Sequence, residues 1–150
     1  MKSELTDKYV EIFDQAYQLL RSDADAADVV HDSMVDTMSR IAVRDPVAYC
    51  MKVMRRKCYR LLKRRQTVLS FEDIGHLQIA DDAEVPVTED VWRYVNKLPD
   101  NVRALVVLHD VNNYTFAELA DLTGMSVSGV RKKVQKAHAL LKKQILEEQR

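Results

Sequence analysis

Between Thr115 and Lys136 the chain reads TFAELADLTGMSVSGVRKKVQK: a helix, a glycine turn and a second, cationic helix. Thr115 and Glu118 have the T-x-x-E spacing of a capping box, in which two backbone donors at a helix start are satisfied reciprocally. Phe116, Leu119 and Ala120 give that helix an inward face, and the small Ala120 lets a second helix cross close by. Gly124 supplies the turn, where a left-handed backbone is costly for a residue with a side chain. Ser126 is placed to cap the second helix, and Val130, Val134, Ala137 and Leu141 recur at helical spacing to pin it against the first. Outward remain Ser128, Arg131, Lys132, Gln135 and Lys136. An ordinary helical hairpin with a solvated basic face would use similar residues. Cap, turn glycine and outward cations together point instead to a DNA-binding helix-turn-helix.

Glycine and proline number three each, and the long runs of Leu, Val, Ala, Lys, Arg and Glu between them argue for an all-α chain. Its 150 residues have room for one domain or two small ones. No apolar stretch approaches the roughly 20 residues of a membrane span, and the N-terminus does not read as a signal peptide, so no membrane insertion is expected. Cys50 and Cys58 fall in what reads as one helix; at ~1.5 Å per residue they lie about 12 Å apart, too far for a disulfide. The four histidines (His31, His76, His109, His138) are scattered and CxxC is absent, so neither metal nor cofactor is expected. The location this implies is cytoplasmic and reducing.

Lysine and arginine together number 23, as do aspartate and glutamate, but the zero net charge hides a segregation. Lys52, Arg55, Arg56, Lys57, Arg60, Lys63, Arg64 and Arg65 fall in one acid-free run, and Arg131, Lys132, Lys133, Lys136, Lys142 and Lys143 in another. Between them Glu72, Asp73, Asp81, Asp82, Glu84, Glu89 and Asp90 make the middle negative. Two cationic helices, one of them in a helix-turn-helix, point to a polyanion touched at two places.

Along the chain, Thr6 or Asp7 is placed to cap a helix over about residues 8–21, with Val10, Phe13, Tyr17 and Leu20 inward. A second helix, about residues 26–42, puts Val30, Met34, Met38 and Ile41 inward and Asp25, Asp28, Asp32 and Asp36 outward. The last three aspartates share one stripe. Acids at a helix start suit its dipole, but Asp32 and Asp36 lie further in, where a basic protein partner is the better reason for them. Pro46 opens a third helix, where its missing N–H costs nothing. Val47, Met51, Met54, Cys58 and Leu61 or Leu62 form its apolar seam, and cations fill most of the remaining circumference. Tyr49 and Tyr59 interleave with those cations, either as packing residues or as rings able to stack on unpaired bases. Residues 66–88 lose the helical rhythm at Gly75 and Pro86 and read as a linker, with a short turn around 71–74. Beyond it, Val91, Trp92 and Val95 face inward from a helix over 89–98. Pro99-Asp100 starts another over about 101–111, with Val102, Leu105, Val106 and His109. The helix-turn-helix completes the chain, its last helix continuing through Ile145. The domains are therefore expected at 1–66 and 89–150, joined by an acidic linker at 67–88.

This order resembles a group IV (extracytoplasmic-function) sigma factor of the sigma-70 family, over about residues 9–146. DADAADVVHDSM resembles the family's region 2.2, and PVAYCMKVMRRKCYRLLKRR resembles its region 2.3–2.4 pattern of proline, aromatic, helix and closing arginine cluster. LPDNVRALVVLHDVNNYTFAELADLTGMSVSGVRKKVQKAHALLKK is similar to region 4. That stretch holds Leu98-Pro99 followed by Arg103, then Glu118-Leu119-Ala120, then Lys136-Ala137 and Leu141. Departures from the family pattern are Ala27 for Glu, His31 for Gln, Tyr49 for Trp, Arg56 and Arg60 for Asn and Asp, and Gly129 for Thr.

The resemblance implies two small helical domains, a region 2-like three-helix domain and a region 4-like helix-turn-helix domain. It implies a non-enzymatic initiation factor that lends RNA polymerase its promoter specificity. Asp28, His31, Asp32 and Asp36 would bind the polymerase core through its β′ coiled coil, with the β flap as a second core contact. Tyr49, Arg55, Arg56, Tyr59, Arg60, Lys63 and Arg64 would meet the opened −10 region. Ser128, Arg131, Lys132 and Gln135 would enter the major groove at −35, with Lys133 and Lys136 near its backbone. An anti-sigma factor is a further expected partner. The Arg56 and Arg60 departures motivate an alternative: a sigma-like adaptor or decoy that binds polymerase or an anti-sigma factor without opening promoters. A free-standing dimeric helix-turn-helix regulator fits less well, because no obvious dimer helix is present. No nucleophile–base pair, metal-ligand spacing or phosphate-cradling glycine loop suggests an enzyme.

Overall fold

A computed structural model describes residues 2–40, 42–65 and 89–148, and every regular element among them is helical. Ile41, the linker at 67–88 with its turn around 71–74, and the acids from Glu72 to Glu84 lie outside the described residues. The chain divides into two compact units between Arg65 and Gln66.

The first unit holds α1 (Lys2–Asp7), α2 (Tyr9–Leu20), α3 (Asp23–Met38) and α4 (Pro46–Arg64). Its core is the packing of α2, α3 and α4 on one another. Helix α1 was not expected: its Leu5 is fully buried, and Thr6 and Asp7 end it rather than cap α2. On α2 the inward residues are Ile12, Ala16, Leu19 and Leu20. The expected face was displaced around the helix, since Val10 is 68% exposed and Phe13 and Tyr17 are only half-buried. The aromatic rings hold the rim instead, Phe13 stacked on Tyr9 and Tyr17 under the Arg21 guanidinium, while compact aliphatic side chains enter the interior.

Helix α3 shows the same kind of correction. Ser22 caps it by accepting from the Asp25 N–H, and the buried residues are Ala26, Val29, Val30, Ser33 and Thr37. Met34 is half-buried and Met38 is exposed. Ser33 and Thr37 can enter because each hydroxyl donates to the carbonyl four residues back, at 2.7 and 2.8 Å, so neither burial strands a polar group. Helix α4 begins at Pro46, with the Asp45 carboxylate accepting from the Ala48 N–H. Met51, Met54, Cys58 and Leu62 are buried as the spacing predicts, with Val47 and Leu61 half-buried. Both cysteines are buried free thiols; burial raises that of Cys50 and pushes that of Cys58 up to about 12.

The second unit holds α5 (Glu89–Val95), α6 (Asp100–Val106), a π-helical turn (Val107–Val111), α7 (Phe116–Thr123) and α8 (Val127–Glu148). Val91 and Val95 face inward as expected, but Trp92 is half-buried and Tyr94 takes the interior place. The Tyr94 hydroxyl is hydrogen-bonded to the Glu148 carboxylate, which ties α5 to the far end of α8. Helix α6 is buried at every residue after Asp100, including Arg103, whose guanidinium reaches Asp100 at 2.8 Å. No helix among the described residues is long and apolar enough to cross a membrane.

The revised face of α2 has a direct test. Ile12→Ala should destabilise the first unit by about 2–5 kcal/mol, as large-to-small core changes do. Val10→Ala should stay within about 0.5 kcal/mol, as exposed sites do. Hydrogen exchange over Tyr9–Leu20 and Pro46–Arg64 reads both, and equal effects would restore the expected face.

Candidate nucleic-acid interface

In the second unit both helix starts are built as the sequence implies. The Glu118 N–H donates to Thr115 Oγ1 and the Thr115 N–H to Glu118 Oε1, each at 3.1 Å, which closes the capping box. Gly124 ends α7 at φ +76°, its N–H donating to the Ala120 carbonyl. Ser126 then caps α8 by accepting from the Gly129 N–H at 3.0 Å. A β-carbon at residue 129 would stand 3.0 Å from that same Ser126 oxygen, so glycine here leaves the cap undisturbed.

Val130, Val134, Ala137 and Leu141 are each at most 1% exposed. With that stripe inward, Ser128, Arg131 and Lys132 are exposed, and Lys133, Gln135 and Lys136 are half-buried. All six lie off the buried stripe of this one helix. Rigid elements hold such a constellation better than loops.

The unit also contains a cluster that spacing alone does not reveal. His138, buried on α8, donates from Nε2 to the Asp110 carboxylate at 2.5 Å. His109 Nδ1 lies 2.7 Å from the Tyr114 carbonyl, which only accepts, so that nitrogen carries a proton. The His109 ring stacks on Phe116 at 4.4 Å between centroids. The π turn therefore grips α7 through His109 and α8 through Asp110. No group of three or more potential metal ligands occurs among the described residues.

In the first unit, Arg60, Lys63 and Arg64 are exposed on α4. Arg55 is half-buried and donates to Gln15 on α2 at 2.7 Å, and Arg56 is half-buried too. Tyr59 is only 7% exposed, and burial raises its hydroxyl pKa. It is a core residue here, and the expectation that it faces a base is corrected. Tyr49 is different: half-buried, with the Arg40 guanidinium 5.8 Å from its ring centre. Arg40, Val43, Arg44 and Tyr49 line a hollow of about 450 Å³. Neither Arg40 nor Arg44 belongs to an expected cationic run, because both lie in the loop between α3 and α4, ahead of the run that starts at Lys52.

The aspartate stripe of α3 is less uniform than its spacing implies. Asp28 and His31 are exposed. Asp32 reaches Lys57 at 3.4 Å, Asp36 reaches Arg40 at 3.7 Å, and Asp25 reaches Arg65 at 2.5 Å. The Arg65 guanidinium holds the Asp25 carboxyl below its usual value. Asp25, Asp28 and Asp32 border, with Lys57, Arg60 and Arg64, a cleft of about 920 Å³ between α3 and α4. Exposed Val35 and Met38 add apolar surface to the outer side of α3.

The family model Sigma-70, region 4 matches residues 88–141. The chain is 21% identical to RNA polymerase sigma factor SigV of Bacillus subtilis (strain 168), over 96% of this chain and 90% of that protein. Among solved structures it is similar to the sigma factor RpoE in its co-crystal with the anti-sigma factor NepR from Bartonella quintana. That likeness has a TM-score of 0.58 at 18% identity, covers 95% of this chain and 94% of that one, and speaks for the fold alone.

Asp110→Ala would leave a buried imidazole without its acceptor. It should destabilise the second unit by about 1–3 kcal/mol, whereas Asp110→Asn, which keeps an acceptor oxygen, should cost less. Fluorescence of Trp92, the one tryptophan of the chain, reports the urea midpoint. Equal midpoints for Asp110→Ala and the parent would remove the pair from the account.

Proposed function

We propose that this chain, a member of the extracytoplasmic-function group of the sigma-70 family, directs RNA polymerase to promoters. The observation that carries the proposal is the outward face of α8, lying within the segment that matches region 4. Residues 89–150 form the proposed −35 domain, residues 1–66 the proposed core- and −10-binding domain, and 67–88 an acidic linker.

In the −35 domain Arg131 and Gln135 make paired hydrogen bonds to purine edges, worth about 1–3 kcal/mol of discrimination each. Ser128 and Lys132 flank them, and Lys133 and Lys136 meet phosphates, which set register without reading sequence. In the first domain Arg55, Arg56, Arg60, Lys63 and Arg64 meet the backbone of the opened −10 region. Tyr49, beside Arg40 and Arg44, faces a displaced base.

The polymerase surface is the outer side of α3. Asp28, His31, Asp32 and Asp36 meet a basic element of the core, the β′ coiled coil, and the exposed Val35 and Met38 supply apolar contact beside them. The β flap is the proposed core contact of the second domain. An anti-sigma factor is a further proposed partner, as the Bartonella quintana protein has one in its crystal. The decoy alternative keeps its support in Arg56 and Arg60.

Run-off transcription with core polymerase separates the two: an initiation factor yields a defined transcript, and a decoy yields none. Arg131→Ala and Gln135→Ala should relax preference at particular −35 bases, by about 10-fold or more per lost bidentate contact. A uniform loss over all sequences would make them phosphate contacts. Asp28→Asn with Asp32→Asn should weaken binding to core polymerase while duplex binding by the second domain is unchanged. Unaltered polymerase affinity would sink the docking role of α3.

A further inference from the structure

Val127 is the first residue of α8, and it is 49% exposed. A β-branched side chain is a weak helix former, and one left in water removes little apolar area, so neither propensity nor the core accounts for it. Both of its chain neighbours are serines. Ser126 before it is committed to the Gly129 N–H, and Ser128 after it is exposed. One turn further along the same stripe is the exposed Arg131. Among the described residues of the second unit, the other large exposed aliphatic is Leu146, at the opposite end of α8.

The N-terminal residues of a recognition helix are those that reach base edges in the major groove. Of the four bases only thymine shows a methyl group there. We propose that Val127 is a specificity-determining residue whose isopropyl group packs on the 5-methyl of a thymine, beside the base that Arg131 contacts. The inference rests on the −35 reading above and deepens it. Val127 carries no side-chain acceptor, so a cytosine at that step would leave its N4 amino donor facing an apolar group. Serine at 128 supplies a hydroxyl compatible with any base and no comparable selection. The stripe of Val127 and Arg131 therefore reads two adjacent features by different means, apolar contact and hydrogen bonding.

Uracil in place of thymine deletes that methyl and nothing else. A randomised 20-bp duplex pool is enriched on holoenzyme made from the full chain and core polymerase. Each thymine of the recovered −35 sequence is then replaced singly by deoxyuridine and tested by competition. At one thymine the replacement should weaken binding about 4-fold, the factor expected for a buried methyl-sized group. Val127→Ala should erase that difference while leaving affinity for the uracil duplex within about 2-fold, given the exposed site. A recovered sequence with no thymine, or one at which every uracil replacement is neutral, overturns the role of Val127 and leaves the −35 reading standing. A uracil penalty that persists in Val127→Ala does the same. Recovery of no preferred sequence overturns the −35 reading and this inference with it.

Discussion

Burial of one apolar stripe, Val130, Val134, Ala137 and Leu141, sets the direction of every other residue on α8. At 3.6 residues per turn, fixing those four inward leaves no rotational freedom for the rest. Ser128, Arg131 and Lys132 point out because the valines point in. The neighbouring caps make the stripe effective: the box at Thr115 and Glu118 starts α7, and Gly124 and Ser126 hold the turn between the helices. A helix that could roll would present a blurred cationic face. This one presents a fixed order of hydroxyl, guanidinium and ammonium groups.

Electrostatics organises the first unit in another way. Asp25, Asp32 and Asp36 all meet cations, and two of those pairs, to Arg65 and Lys57, tie α3 to residues on or just after α4. Pairs as exposed as Asp32–Lys57 contribute little to stability, about 0–1 kcal/mol. Weak pairs can exchange partners at little cost. The repulsion among stacked aspartates that the sequence implies is relieved by this pairing, and Asp28 keeps its exposed place within the cleft.

The second unit was the more legible from sequence, because its determinants are local. A capping box needs two residues three apart, and the α8 stripe needs only helical spacing. The faces of α2 and α3 depart from their apolar spacing for different reasons. On α2 the compact Ile12, Ala16 and Leu19 take the interior that spacing assigns to Val10 and Phe13, and on α3 Ser33 and Thr37 enter it by turning their hydroxyls back on the helix. Side-chain-to-carbonyl bonding leaves no trace in a hydrophobic pattern. Tyr59 was ambiguous between stacking and packing, and only the closeness of the surrounding helices decided it. The hollow beside Tyr49 was hidden because Arg40 and Arg44 approach it through a turn.

The π turn at Val107–Val111 carries a last consequence. Its Asn112 N–H reaches back five residues to the Val107 carbonyl, and the Tyr114 N–H returns to Leu108. The adjacent His109 and Asp110 engage different helices from this one widened coil. Loss of a single residue here would restore ordinary α-helical pitch and swing everything downstream by about 100°. The two histidine contacts could not then both survive. Chain length between Leu108 and Thr115 is thus a structural quantity in its own right, and insertions or deletions there should be purged far more strictly than changes of side chain.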